Sequence, residues 1–301
     1  MEFRNIVGNT EAKDYLIKNI EQNNILHSYL FLGTEGIGKF LIAQEFARKI
    51  LCFKKQENNC DCKSCLCYNS NNHPDLTILN EENNSLKIEQ IRNITGKVNE
   101  KPIMSEKKIY IINNCENMTK EAQNCLLKTL EEPPDFIVII LISANENMIL
   151  NTIKSRCMSI KFRNISDEEL REYAEKEIGY NDLSSNLLKL FNGSIGKAIK
   201  LKENKERYQQ IEELISNFKK KDLIDIMFDS KIIYDKENIY EILDYIIVCL
   251  YSKKDLEYIN CIDKVNKCIR RLESNSNFDM SVDNMILEMW EEINYENSNR
   301  S

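Results

Sequence analysis

An α/β domain built on a parallel sheet, followed by an all-helical C-terminal part, is the fold class that this 301-residue sequence predicts. Three observations predict it. Short apolar runs alternate with amphipathic helical segments through the first 163 residues. A glycine-rich loop joins the first of those runs to the first helix after it. Strand signals then stop, and the remainder repeats at helical spacing.

The elements follow in order. Ser28–Leu32 (SYLFL) is a short apolar strand ending at Gly33. Phe40–Leu51 carries Ile42, Phe46 and Ile50 at helical spacing. Leu76–Leu79 reads as a second strand, and Ile88, Ile91, Ile94 and Val98 mark a helix. Ile109–Ile112 is continuously apolar, as a strand buried on both faces should be. Thr119 is placed to cap a helix whose apolar side holds Leu126, Leu127 and Leu130 and which Pro133-Pro134 stops. Phe136–Ile142 (FIVIILI) is the most apolar strand, and Met158, Ile160 and Phe162 alternate with polar residues as the last. Strands alternating with helices of these lengths call for a parallel sheet covered on both faces.

Ser166-Asp167-Glu168-Glu169 reads as a capping box, serine at the N-cap and glutamate three residues on. Short helices follow to about Leu201, with breaks at Gly179 and Asn192-Gly193, and the pattern stays helical from about 204. Val282, Met285, Met289 and Ile293 form a stripe on the last helix, with Trp290 beside it. The face around Met285 and Met289 suits burial against a neighbouring subunit; an ordinary intramolecular core is the alternative, and both can hold on different faces. The tail after Asn297 reads as disordered.

Composition narrows the function classes. The formal net charge of −7 argues against tight, unaided binding to nucleic acid, which draws on clustered Lys and Arg. No apolar run approaches the roughly 20 residues that span a bilayer, and the first residues lack the basic and apolar regions of a signal peptide. The expectation is a cytoplasmic protein. Eleven cysteines in such a chain point to metal binding, catalysis or packing rather than disulfides. Five of them, Cys52, Cys60, Cys62, Cys65 and Cys67, fall within 16 residues.

Gly33-Thr34-Glu35-Gly36-Ile37-Gly38-Lys39-Phe40 nearly fits the phosphate-loop pattern G-x-x-x-x-G-K-[ST]. Gly33, Gly36 and Gly38 would let backbone N–H groups turn toward phosphate oxygens, and Lys39 would reach the β- and γ-phosphates. The eighth position needs a hydroxyl for Mg²⁺, and Phe40 cannot ligate a metal. After the strand Ile109–Ile112, where an Asp for the metal and a Glu for the attacking water are needed, the sequence reads Asn113-Asn114-Cys115-Glu116. Glu116 stands two places late for that role. Phosphoryl transfer depends on positioning and metal-assisted charge stabilisation, so the loop leaves nucleotide binding open while hydrolysis is not expected.

Taken together, His27-Ser28-Tyr29-Leu30-Phe31, the loop, His73-Pro74-Asp75, Leu126-Leu127-Lys128-Thr129-Leu130-Glu131-Glu132-Pro133-Pro134 and Thr152-Ile153-Lys154-Ser155-Arg156-Cys157 resemble the clamp-loader branch of the AAA+ ATPases. The resemblance covers roughly residues 1–200 and continues weakly to the end through Leu272–Asn277. It implies an AAA+ P-loop domain over 1–163 with a cysteine module inserted at about 52–67. A helical lid over 164–203, a helical collar for oligomerisation over 204–297 and a tail at 298–301 would follow. Among the family's members, the pattern of lost metal-side groups with a retained Ser-Arg-Cys segment is similar to the delta-prime group of bacterial DNA polymerase III. The length agrees, without the long extension of a tau-type subunit.

The resemblance assigns Arg156 the role of an arginine finger, reaching the γ-phosphate held by a neighbouring motor subunit. It places Gly196, one residue before Lys197, where motor subunits carry a nucleotide-sensing Arg. Lys197 is expected to be a solvated surface charge. The cysteine stretch resembles the family's four-Cys zinc module, with Cys52, Cys60, Cys62 and Cys65 as the implied ligands of a structural Zn²⁺. The family's spacing is C-x2-C-x2-C, whereas one residue separates Cys60 from Cys62. Cys67 is therefore an alternative to Cys60. His73 belongs to the His-Pro-Asp turn and is left out of the ligand set, and the other six cysteines read as packing residues. The implied partners are gamma/tau motor subunits and the delta subunit in a pentamer, the sliding clamp, and primer–template DNA through the complex. Two rival readings stand beside this one, a catalytically active motor subunit and a zinc-bearing module that grips DNA directly.

Overall fold

The computed structural model describes residues 3, 6–54, 60–79, 86, 88–178 and 183–298. The chain divides into two units, one of residues 1–170 with 193–196 and the other of 171–192 with 197–301.

The first unit is a five-stranded parallel sheet in the order β2-β3-β4-β1-β5. Its strands are β1 (Ser28–Leu32), β2 (Leu76–Leu79), β3 (Lys108–Ile112), β4 (Ile137–Ser143) and β5 (Met158–Lys161). The helices are α1 (Thr10–Glu21), α2 (Lys39–Leu51), α3 (Lys63–Asn69), α4 (Ile88–Lys97), α5 (Lys120–Glu131) and α6 (Asn151–Lys154). β1, β3 and β4 are buried along their whole length. Their alternating side chains divide between two cores, because successive strand residues point to opposite faces. Tyr29, Phe31, Ile109, Ile111, Val138 and Ile140 pack with Leu16 of α1 and with Ile42 and Phe46 of α2. Leu30, Leu32, Tyr110, Ile112, Ile139 and Leu141 pack with Ile91 of α4 and with Leu126 and Leu130 of α5. β3, whose end carries the two asparagines, is separated from β1 by β4.

The local signals act as read. Thr119 Oγ1 accepts from Ala122 N at 3.3 Å at the start of α5. Glu169 N donates to Ser166 Oγ at 3.2 Å while Ser166 N donates to Glu169 Oε2 at 3.1 Å, which closes the capping box before α7 (Asp167–Tyr173).

The second unit is helical. Its main elements are α8 (Ser185–Phe191), the greater part of α9 (Ile195–Asn217), α10 (Leu223–Asp229), α11 (Ile239–Lys253), α12 (Leu256–Glu273) and α13 (Phe278–Ser298). Tyr208 of α9 and Tyr245 of α11 meet edge to face at 4.7 Å, and their hydroxyls donate to Glu241 and Glu212, so both buried phenols are satisfied. Val282, Met285, Met289 and Ile293 are all at most 2% exposed inside this unit. The α13 stripe is thus an intramolecular core and is not free to meet a neighbouring subunit. The apolar residues left exposed are others, among them Ile224 (79%) and Phe228 (68%) on α10. The break expected at Gly179 and the tail after Ser298 lie outside the described residues.

Candidate functional site

The loop between β1 and α2 lies at the C-terminal end of the sheet, where open α/β sheets place their ligand sites. Lys39 opens α2 and is only 6% exposed. Its ammonium donates to Gly33 O and Thr34 O, each at 2.6 Å, so the cation is folded onto carbonyls of its own loop. Burial pulls its pKa down to about 8, partly offset by the nearby charges of Glu116 and Glu35. Phe40, at the position that needs a metal-binding hydroxyl, packs against the core shared by α1, α2 and the sheet.

A third segment closes over the loop. Gly196 N donates to Gly36 O at 3.0 Å. Gly36 has φ +78°, and a Cβ added there would lie 2.0 Å from Ser194 Oγ. A glycine is therefore required at 36 both for the left-handed backbone and for the close approach. Thr34 Oγ1 donates to Asn164 Oδ1 at 2.5 Å, a further tie to the chain after β5. Where the resemblance places a sensing arginine, the structure puts backbone against backbone. Lys197 Nζ instead donates to Leu190 O at 3.3 Å.

Asn113 is buried at the end of β3, and Asn114 takes a left-handed conformation (φ 47°) that asparagine tolerates. Glu116 Oε1 accepts from Ala144 N, just past β4, at 2.9 Å. Its Oε2 is buried with no hydrogen-bond partner among the described residues. The carboxylate that the β3 end brings toward Lys39 is thereby held by backbone.

Arg156 follows α6. Ser28 Oγ donates to its carbonyl at 3.0 Å, and its own N–H donates to Ile153 O at 3.0 Å, which fixes its backbone. Its guanidinium donates to Glu131 Oε1 at 2.6 Å through Nη2, and to Thr152 O at 2.9 Å and Ser155 Oγ at 3.3 Å through Nη1. The side chain is about one-third exposed.

The sulfurs of Cys52, Cys60, Cys62 and Cys65 lie within 4.8 Å of one another. Four thiolates at ~2.3 Å from Zn²⁺ stand about 3.8 Å apart in a tetrahedron, so the donor set fits such an ion with small adjustments. Burial raises the thiols of Cys52 and Cys65. Burial also pushes Cys62 up, but N–H groups of Cys65 and Phe53 and the neighbouring thiols outweigh it and draw Cys62 down to about 6. Cys67 lies outside the group, and residues 55–59 of the module are outside the described residues. The short Cys60–Cys62 spacing is accommodated by a turn in which Cys62 N donates to Cys60 Sγ at 3.4 Å.

Sequence reasoning passed over the support for this module. Ser64 Oγ, on α3, donates to Leu51 O at 2.7 Å and lies 2.9 Å from His73 Nε2. Asp75 is 1% exposed, and its carboxylate accepts from Ile103, Met104 and Ser105 N–H at 2.6, 2.8 and 2.8 Å. Ser105 Oγ also donates to Leu51 O, at 3.1 Å. The His-Pro-Asp turn thus ties the cysteine module and the loop before β3 to the end of α2. His73 is committed to this network and is no part of the sulfur cluster.

Fold and loop together define a protein of the AAA+ class, with a phosphate-loop sequence between β1 and α2. A solved structure, a DNA polymerase III gamma subunit-related protein from Thermotoga maritima, shares the fold with a TM-score of 0.55 at 19% identity, covering 93% of this chain and 98% of that one. The family model for the DNA polymerase III delta subunit matches residues 8–166, and the chain belongs to that family. Two relatives are DNA polymerase III subunit delta' of Bacillus subtilis, 31% identical over 64% of this chain, and subunit gamma/tau of Mycoplasma pneumoniae, 33% identical over 58%. The matched stretches span 58% and 26% of those relatives' own lengths. Among the described residues, no helix is long and apolar enough to cross a membrane.

Proposed function

We propose that this chain is a delta-prime-type subunit of a bacterial DNA polymerase III clamp loader, a stator that does not hydrolyse ATP and presents Arg156 to a neighbouring motor subunit. The observation that carries this reading is the pair of losses at the loop. Phe40 packs into the core where a hydroxyl should hold Mg²⁺, and asparagines stand where carboxylates should be. Without a metal ligand and a base, the loop lacks the charge stabilisation on which phosphoryl transfer depends. The closure of Gly193–Gly196 over Gly36 supports the same reading.

Arg156 keeps what a finger needs, a fixed backbone and a partly exposed, permanently charged head. In an assembled loader its guanidinium would meet the negative charge that develops on a γ-phosphate across the subunit boundary, an effect of about 10³–10⁵ in rate. The cysteine cluster would hold a structural Zn²⁺ through Cys52, Cys60, Cys62 and Cys65. Residues 164–203 would act as a lid and 204–297 as a collar. The exposed Ile224 and Phe228 would then be candidates for the collar's outer contacts. The partners in this reading are gamma/tau motors, a delta subunit, the sliding clamp, and primed DNA reached through the complex, all in the cytoplasm.

The second reading, an active motor, draws on the relatives named gamma/tau. ATP turnover by the purified chain, beside Lys39→Ala, separates the two. Turnover abolished by Lys39→Ala makes the chain a motor. No turnover in either, with Arg156→Ala silencing the ATPase of a reconstituted complex, is the result expected of the stator.

A further inference from the structure

Glu131 sits in an electrostatically poor place. It is the last residue of α5, followed by Glu132 and the Pro133-Pro134 stop, so two carboxylates crowd the negative end of a 12-residue helix. Helix ends of that polarity favour cations. The cation that meets Glu131 is Arg156, through a single short contact from Nη2 at 2.6 Å. The remaining guanidinium contacts, to Thr152 O and Ser155 Oγ, use Nη1 and come from the turn that carries Arg156 itself. The backbone at 156 is anchored independently, by Ser28 Oγ and Ile153 O. Breaking the Glu131 contact therefore frees Nη2 without moving the backbone that aims it.

We propose that Glu131 is a positioning residue that parks Arg156. Its carboxylate holds the guanidinium at the surface until a stronger anion, the γ-phosphate of a nucleotide on the neighbouring subunit, takes over Nη2. This rests on the reading of Arg156 as a finger. The pair is well suited to a latch because it is weak. The two side chains are 33% and 49% exposed, and pairs so exposed shift an equilibrium by no more than about fivefold. A doubly charged terminal phosphate group offers more charge and further acceptor oxygens, and so displaces a lone surface carboxylate.

The test uses the complete reconstituted clamp loader with ATP and no DNA, comparing wild type, Glu131→Gln, Arg156→Ala and the double variant, with assembly checked for each. Glu131→Gln is expected to raise kcat about two- to fivefold, with KM for ATP little changed, because the freed group acts on charge developing in the transition state. Arg156→Ala lowers kcat, and the double variant matches Arg156→Ala alone. Glu131→Lys, which repels the guanidinium, raises kcat at least as far as Glu131→Gln. A Glu131→Gln complex whose kcat is unchanged or reduced, where Arg156→Ala still lowers it, overturns the latch and leaves the finger standing. If Arg156→Ala has no effect, the finger fails and the latch falls with it.

Discussion

The contact between Gly36 and Ser194 gives a sharp prediction. Gly36→Ala asks a side chain to adopt φ +78°, at about 1–2 kcal/mol. It also drives a Cβ to 2.0 Å from Ser194 Oγ and 3.3 Å from Ser194 Cβ. Forced overpacking of this kind costs typically 1–3 kcal/mol more, so the single variant should lose about 2–5 kcal/mol. Ser194→Ala removes the hydroxyl at 2.0 Å and leaves a Cβ contact of 3.3 Å, which a shift of a few tenths of an ångström relieves. In that background Gly36→Ala retains the backbone penalty and the smaller strain of that contact, and the coupling between the sites should be up to about 3 kcal/mol. Urea unfolding of the four proteins, with equal m-values, measures the cycle, and any other hydrogen bonds of Ser194 cancel within it. If Gly36→Ala costs the same in both backgrounds, the Gly193–Gly196 segment does not pack on the loop, and the closed site described above is wrong.

Three further outcomes follow from the same geometry. The purified chain should carry about one zinc per molecule. Cys62→Ser should release it and lower the melting temperature, whereas Cys67→Ser should leave metal content unchanged. The lowered pKa of Lys39 sets a pH signature. Below about 8 its ammonium is charged in both folded and unfolded chains and burial costs its full amount; above about 10.5 it is neutral in both. Wild type should therefore gain stability relative to Lys39→Met between those limits, at up to about 1.4 kcal/mol per pH unit, and a difference flat with pH would count against a buried ammonium. Asp75→Asn retains one acceptor and turns an NH₂ toward N–H donors at 103–105, so it should cost about 2–4 kcal/mol and speed amide exchange at Met104 and Ser105. Exchange unchanged there would show that the carboxylate does not hold the loop.

Much of the sheet was legible because strands buried on both faces leave unbroken apolar runs, as Ile109–Ile112 and Phe136–Ile142 do. The capping residues Thr119 and Ser166 were legible because their hydrogen bonds are local. α1 went unnoticed, although Ala12, Leu16 and Ile20 recur at four-residue spacing and are buried; its polar residues dilute the pattern. α3 was hidden by the cysteines, whose metal-site spacing draws attention from a seven-residue helix. The four sulfurs could be chosen from a resemblance, but the Ser64–His73 contact and the Asp75 grip could not. They join segments as far as 30 residues apart, through bonds that carry no periodic signal. The α13 stripe was ambiguous for a different reason: periodicity says that a face is buried but not against what.

The posture of Lys39 has a consequence for any phosphate that approaches it. The ammonium already has two acceptors, Gly33 O and Thr34 O. A nucleotide must therefore compete with the protein's own backbone for the same three protons, and it leaves two carbonyls to be satisfied afresh. Only the fraction of molecules with the loop sprung open can bind, and the apparent dissociation constant rises by the inverse of that fraction. A loop open one time in a hundred would weaken any such binding about a hundredfold, with no change in the loop's residues.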